Sequence, residues 1–229
     1  MRCSIPTSVR RRLLSADSAT VAWHDACVDT SRAVELCLSA HRRVLKTLAD
    51  LDDDTVRQPS LLPDWTVGHV VTHLARNADG HARRLEAALR GEDVKRYPGG
   101  EAQREREIEE GHARPAQVMV EDLRTSQERL EDVWRRCAER GWTFDVPDRD
   151  DDWPLPDSPK RRLRETELHH SDMGLGYTPQ DWPAEYVAWE LATQLRALPG
   201  RLQPGDDLRL LTGLTGRAPW PSTLELGPW

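Results

Sequence analysis

The sequence predicts a mainly α fold: a four-helix bundle followed by a short C-terminal α/β segment. Three observations lead there. Four segments place apolar residues at three- and four-residue spacing, Gly, Pro or acidic residues break them apart, and the texture changes after Gly176. The 229 residues suffice for one substantial core. They divide into an N-terminal arm over 1–22, a bundle over 23–178 and a C-terminal segment over 179–229.

In the arm, Arg10, Arg11 and Arg12 are followed only by Leu13 and Leu14 before Ser15. That is no signal-peptide apolar region, so a poorly ordered arm and a cytoplasmic compartment are expected. The first helix runs from about Trp23 to Leu51, with Val34, Leu38, His41, Leu45 and Leu48 on one stripe. Asp52–Asp54 and Pro59 close it. The second begins after Pro63, capped by Asp64 or Thr66, and reaches Arg90 before Gly91. Its stripe is Val67, Val70, Val71, Leu74, Ala78, Leu85 and Leu89. Residues 91–113 are almost wholly polar and fit a solvated helix or a mobile loop. The third helix starts at Pro115, a favoured first-turn residue, and carries Met119, Leu123, Leu130, Val133 and Trp134 before Gly141. A long connection over 142–159 leads to the fourth helix, from about Pro159 to Met173. After Gly176 a short helix from Asp181 to Leu198 is expected, then a strand over Leu208–Leu211 and a Gly/Pro/Trp-rich tail.

Composition narrows the function. Charged residues make up 31% and the net charge is −7, which argues against a general nucleic-acid binder. No run approaches the roughly 18 apolar residues that span a bilayer. None of Cys3, Cys27, Cys37 and Cys137 lies in a C-x-x-C pair, so a thiolate zinc site is not expected. Cys37 and Cys137 fall where helices bury them as free thiols.

The chemistry sits in the histidines. Glu165 and His169 are four apart on the fourth helix, which places both side chains on one face within reach of one ion. Glu167 with His170, three apart, is an alternative register. On the second helix His69 points away from the apolar stripe and His73 lies near its edge, so His73 is the inward candidate. His73, Glu165 and His169 would give three ligands and an open position, the pattern of catalytic zinc. The bland alternative is an exposed Glu–His pair contributing a few tenths of a kcal/mol.

Two stretches carry a resemblance. The run from Leu62 to Ala78 (LPDWTVGHVVTHLARNA) resembles the signature of the mycothiol-dependent maleylpyruvate isomerase family. The run from Arg164 to Tyr177 (RETELHHSDMGLGY), followed by Asp181-Trp182-Pro183, is similar to its second signature. The likeness covers about residues 24–183 and implies a DinB-like, metal-binding four-helix bundle. It also implies His73, Glu165 and His169 as ligands of a divalent ion, expected to be zinc, with His69 and His170 in supporting positions. Asp64 stands where the family often has Gly. Leu211–Arg217 resembles the closing motif of a larger C-terminal domain, which implies a substrate contact for Arg217.

The resemblance implies an enzyme in which the metal activates mycothiol, a low-molecular-weight thiol, for attack on a small electrophile. Cis–trans isomerisation of maleylpyruvate or a related compound is the expected reaction. A mycothiol S-transferase and a non-catalytic metal sensor or interaction module are the alternatives.

Overall fold

The computed structural model describes residues 29–147, 153–219 and 221. The expected arm over 1–22, with Cys3 and Cys27, lies outside them. Helix α1 spans Thr30–Thr47, α2 Val67–Leu89, α3 Gly100–Gly111, α4 Ala116–Glu139 and α5 Ser158–Asp172. Two further helices follow, α6 over Ala184–Ala197 and α7 over Asp206–Leu214. No β-strand occurs among the described residues, beyond one isolated bridge between Pro59 and Thr66. No described helix is long and apolar enough to cross a membrane.

Helices α1, α2, α4 and α5 form the bundle, with α2 packed chiefly on α4 and α1 on α5. Helix α2 is central and is buried on almost every face, because its small residues Gly68, Ala75, Ala78, Gly80 and Ala82 admit close neighbours. A Cβ at Gly68 would lie 2.2 Å from the carbonyl oxygen of His112. The α1 stripe differs from the expected one. Ala33, Leu36, Cys37, Ala40, His41 and Val44 face inward, while Val34, Leu38 and Leu45 are only partly buried. The small side chains set the line of closest approach.

Two apolar clusters fill the interior. One is built on Val44, Val70, Leu74, Met119, Leu123 and Met173, the other on Leu36, Leu85, Leu130, Trp134, Leu163 and Tyr186. A buried polar layer lies between them. Arg162 of α5, fully buried, donates to His41 (3.2 Å), to the Leu74 carbonyl (2.8 Å) and to Asn77 (2.8 Å), tying α5 to α1 and α2. Buried polar contacts of this kind fix how helices are rotated against one another.

Thr66, not Asp64, caps α2: its hydroxyl accepts from the His69 amide, and the His69 imidazole accepts from the Thr66 amide. Asp64 adopts φ +62°, a left-handed conformation that Gly takes freely and Asp tolerates. The loop before α2 is sewn to the end of α5, since the Leu61 amide donates to the Asp172 carbonyl at 2.8 Å.

The polar stretch after α2 resolves as helix α3. The strand expected over Leu208–Leu211 is instead part of α7. Gly205 turns the chain at φ +93°, two aspartates occupy the first turn, and Leu208, Leu211 and Leu214 recur at helical spacing. These three leucines are exposed.

Candidate metal centre

Helix α2 delivers His73 and helix α5 delivers Glu165 and His169 to one point. The Glu165 Oε2 atom lies 2.9 Å from His73 Nε2 and 3.6 Å from His169 Nε2. The three candidate ligand atoms all fall within 4.8 Å of one another. The two imidazoles meet edge to face, 4.6 Å apart with planes at 86°, so their Nε2 atoms converge from different directions. His169 Nδ1 donates to Asp172 Oδ2 at 2.8 Å, one turn along α5. That bond puts the proton on Nδ1 and leaves the Nε2 lone pair for the site, the usual support of a metal-ligating histidine.

The electrostatics suit a cation. Burial alone would push the Glu165 carboxyl up, but the hydrogen bond from His73 and the proximity of His73, His169 and His81 outweigh it. The carboxyl is held well below the usual range and stays ionised. Burial pushes His73 down to about 4, against the hydrogen bond to Glu165, so its imidazole is neutral at physiological pH. Two imidazoles with one carboxylate are a donor set that divalent zinc takes. One adjustment is required. Arg104 of α3 donates to His73 Nδ1 (3.3 Å), which keeps the His73 proton on Nε2. Ligation through Nε2 would require that proton to move to Nδ1 and the guanidinium to give way.

The alternative register is not assembled. Glu167 turns to Arg43 and to Tyr177 (2.5 Å), and His170 binds Thr47 (2.8 Å) and stacks on Tyr177. His170 therefore braces α5 on α1 and does not reach the three-residue cluster. His69 is buried, not solvent-facing as its helical angle suggests, because α3 and His112 cover it. A second group, His69, Glu109 and His112, also brings donor atoms together. Its Nε2 atoms lie 3.4 Å (His69) and 3.6 Å (His112) from the Glu109 carboxylate, but that carboxylate is exposed, the two rings stack nearly parallel with centroids 3.7 Å apart, and His69 Nδ1 is engaged in the helix cap. Cys37 and Cys137 are buried thiols, with Cys137 pushed up to about 12 by burial. Such thiols are poor nucleophiles. Arg217 lies exposed beyond α7 with its guanidinium on the Thr215 carbonyl, and it does not line the cavity at the cluster.

That cavity, about 350 Å³, shows what the motifs did not. Arg96, Arg104, Arg161 and Arg164 line it together with His81 and Trp153. Arg164 is held by Glu190 of α6 at 2.9 Å, and Arg96 lies over the Trp153 ring. The signal for His81 was present in the sequence: His73, Asn77 and His81 recur every four residues on α2. The arginines come from three separate segments, and no spacing rule gathers them.

The model of the mycothiol maleylpyruvate isomerase N-terminal domain matches residues 37–174, more than half of the chain. The chain belongs to this family. Among solved structures, a crystal structure of the mycothiol-dependent maleylpyruvate isomerase matches with a TM-score of 0.65 and 24% sequence identity. The match covers 73% of this chain and 69% of that one. A structure of a histidine-to-alanine mutant of that isomerase gives the same figures. At this identity the structural likeness shows the shared helical fold. No curated protein matches the sequence. The matched span contains α2 and α5, the helices on which His73, Glu165 and His169 converge.

Proposed function

We propose that the chain is a metal-dependent thiol enzyme of the maleylpyruvate isomerase family, using mycothiol to attack a small anionic electrophile. The single observation that carries this reading is the convergence of two imidazoles and one ionised carboxylate at the wall of an arginine-lined cavity. His73, Glu165 and His169 would hold a divalent ion, zinc by donor chemistry. When bound, the ion lowers the pKa of a coordinated thiol so that it reacts as thiolate at neutral pH.

The protein's own residues do the rest. Asp172 keeps the His169 proton away from the ion. Arg104, released from His73, joins Arg161 in offering guanidinium groups to a carboxylate of the electrophile. Trp153 forms an apolar wall against the reacting chain. For maleylpyruvate, thiolate addition turns the cis double bond into a single bond. Rotation and expulsion of the thiolate then give the trans isomer. A mycothiol S-transferase is the second reading, favoured by one observation: the cavity's cations come from α5, α3 and the segment just before α3, while Arg217 stands apart.

Metal analysis and a spectroscopic assay test these readings. Purified protein should carry about one zinc per chain, lost in His73→Ala and Glu165→Ala. Retention of zinc in both variants removes the proposed ligands. Turnover of maleylpyruvate with mycothiol supports the isomerase. Conjugation of a generic electrophile without isomerisation supports the transferase, and tight zinc with neither activity leaves a sensor.

A further inference from the structure

His81 is buried at 1% exposure, yet it lines the same cavity as the candidate ligands. Its Nδ1 lies 2.9 Å from the Ser158 hydroxyl at the start of α5. Ser158 Oγ also accepts from the Trp134 indole N–H at 3.0 Å, and both partners are fully enclosed. The hydrogen-bond inventory then fixes the direction. The indole can only donate, so Ser158 Oγ has one lone pair and one proton left for its remaining partner. If His81 carried its proton on Nδ1, the Ser158 hydroxyl proton would have no acceptor among the described residues. With the hydroxyl donating to Nδ1, every group is satisfied, and burying an unsatisfied hydroxyl is costly. His81 then bears its proton on Nε2, the nitrogen left for the cavity. Trp153, stacked on the ring with centroids 4.6 Å apart, keeps that orientation. Burial and the neighbouring Arg96, Arg162 and Arg84 keep the ring from charging.

We infer that His81 is the cavity's neutral hydrogen-bond donor: its Nε2–H binds an anionic oxygen of the ligand, in a tautomer set by the Trp134–Ser158 relay. This deepens the reading above, on which it rests for the class of ligand. A charged donor would add to four arginines and hold any anion too tightly to discriminate. A neutral N–H adds direction without charge.

The test uses the full chain, zinc-loaded and labelled with ¹⁵N on histidine, with maleate as the probe. Two-bond ¹H–¹⁵N correlation should show His81 protonated on Nε2 alone between about pH 5 and 8. Maleate should shift that Nε2–H resonance. A proton on Nδ1, an imidazolium, or an Nε2–H resonance unmoved by maleate overturns the inference. His81→Leu should weaken maleate binding about tenfold, and His81→Gln, which keeps an N–H donor near the same place, should stay within about threefold of wild type. Equal affinity in His81→Leu and wild type also overturns it. Failure of the chain to turn over maleylpyruvate with mycothiol would refute the proposed reaction while leaving the tautomer and the maleate contact to stand or fall by these measurements.

Discussion

Replacing Arg104 by Gln should tighten zinc binding, although Arg104 is no ligand. In the folded chain its guanidinium donates to His73 Nδ1 at 3.3 Å, which favours the tautomer that keeps a proton on the ligating nitrogen. An ion on Nε2 would lie about 7 Å from that charge, adding the ring width and a metal–nitrogen bond of about 2.1 Å. Coulomb's law gives a repulsion between about 1 and 5 kcal/mol for effective dielectric constants of about 80 down to 20. The Arg104 side chain is 24% exposed, and water and salt reach it, so the low end applies. About 1.4 kcal/mol corresponds to tenfold. Loss of Arg104 also frees Glu101, its ion-pair partner, which acts in the same direction. Competition against a chromophoric chelator at neutral pH, in a buffer without carboxylate or phosphate, should therefore give a Kd about tenfold lower for Arg104→Gln. Arg135→Gln, a change on an exposed face of α4, serves as the control and should match wild type. Unchanged or weaker zinc binding in Arg104→Gln would refute the claim that Arg104 opposes the ion.

Three further outcomes follow from contacts already described. Asp172→Asn should weaken zinc by about 10- to 100-fold in the same competition assay, because His169 loses the carboxylate that fixes its tautomer. Gly68→Ala should destabilise the chain by about 1–3 kcal/mol in urea unfolding, since the new methyl meets the His112 carbonyl, a backbone atom that cannot turn aside. In metal-free protein, burial pushes His41 and His170 down to about 4, whereas in the unfolded chain they take up protons near the ordinary value of about 6.5. The unfolded state then binds more protons across that interval, so stability should fall as pH drops from about 6.5 to about 4 and be insensitive to these groups above it. A urea midpoint that stays constant over the interval would contradict this.

Much of the bundle was legible because its signals are local. The apolar stripe, Pro115 at a first turn and the glycines that end α2, α4 and α5 each act within a few residues of where they stand. The Glu165/His169 spacing was equally local, and it does place both side chains on one face. What escaped depends on packing between distant segments. The inward line of α1 follows Ala33, Cys37 and Ala40, which a count of large apolar residues passes over. His69 reads as solvent-facing until α3 is laid across it, and α3 itself has almost no apolar face to announce a helix. The 208–211 run was misread because four residues cannot separate a strand from a helical turn, and Gly205 with Asp206 and Asp207 decides the matter. The cavity's arginines arrive from three parts of the chain, so only the folded molecule gathers them.

The main-chain bond between Leu61 and Asp172 has a bearing on how this architecture ages. It holds the entry to α2 against the exit from α5 without asking anything of the Leu61 side chain, which is 71% exposed. Substitutions along that loop can accumulate while the span between the imidazole and carboxylate groups stays constant. A single inserted residue between Gln58 and Thr66 would have the opposite effect: it would slip the main-chain pairing and carry His73 out of register with Glu165. Drift in letters is cheap there, and drift in length is not.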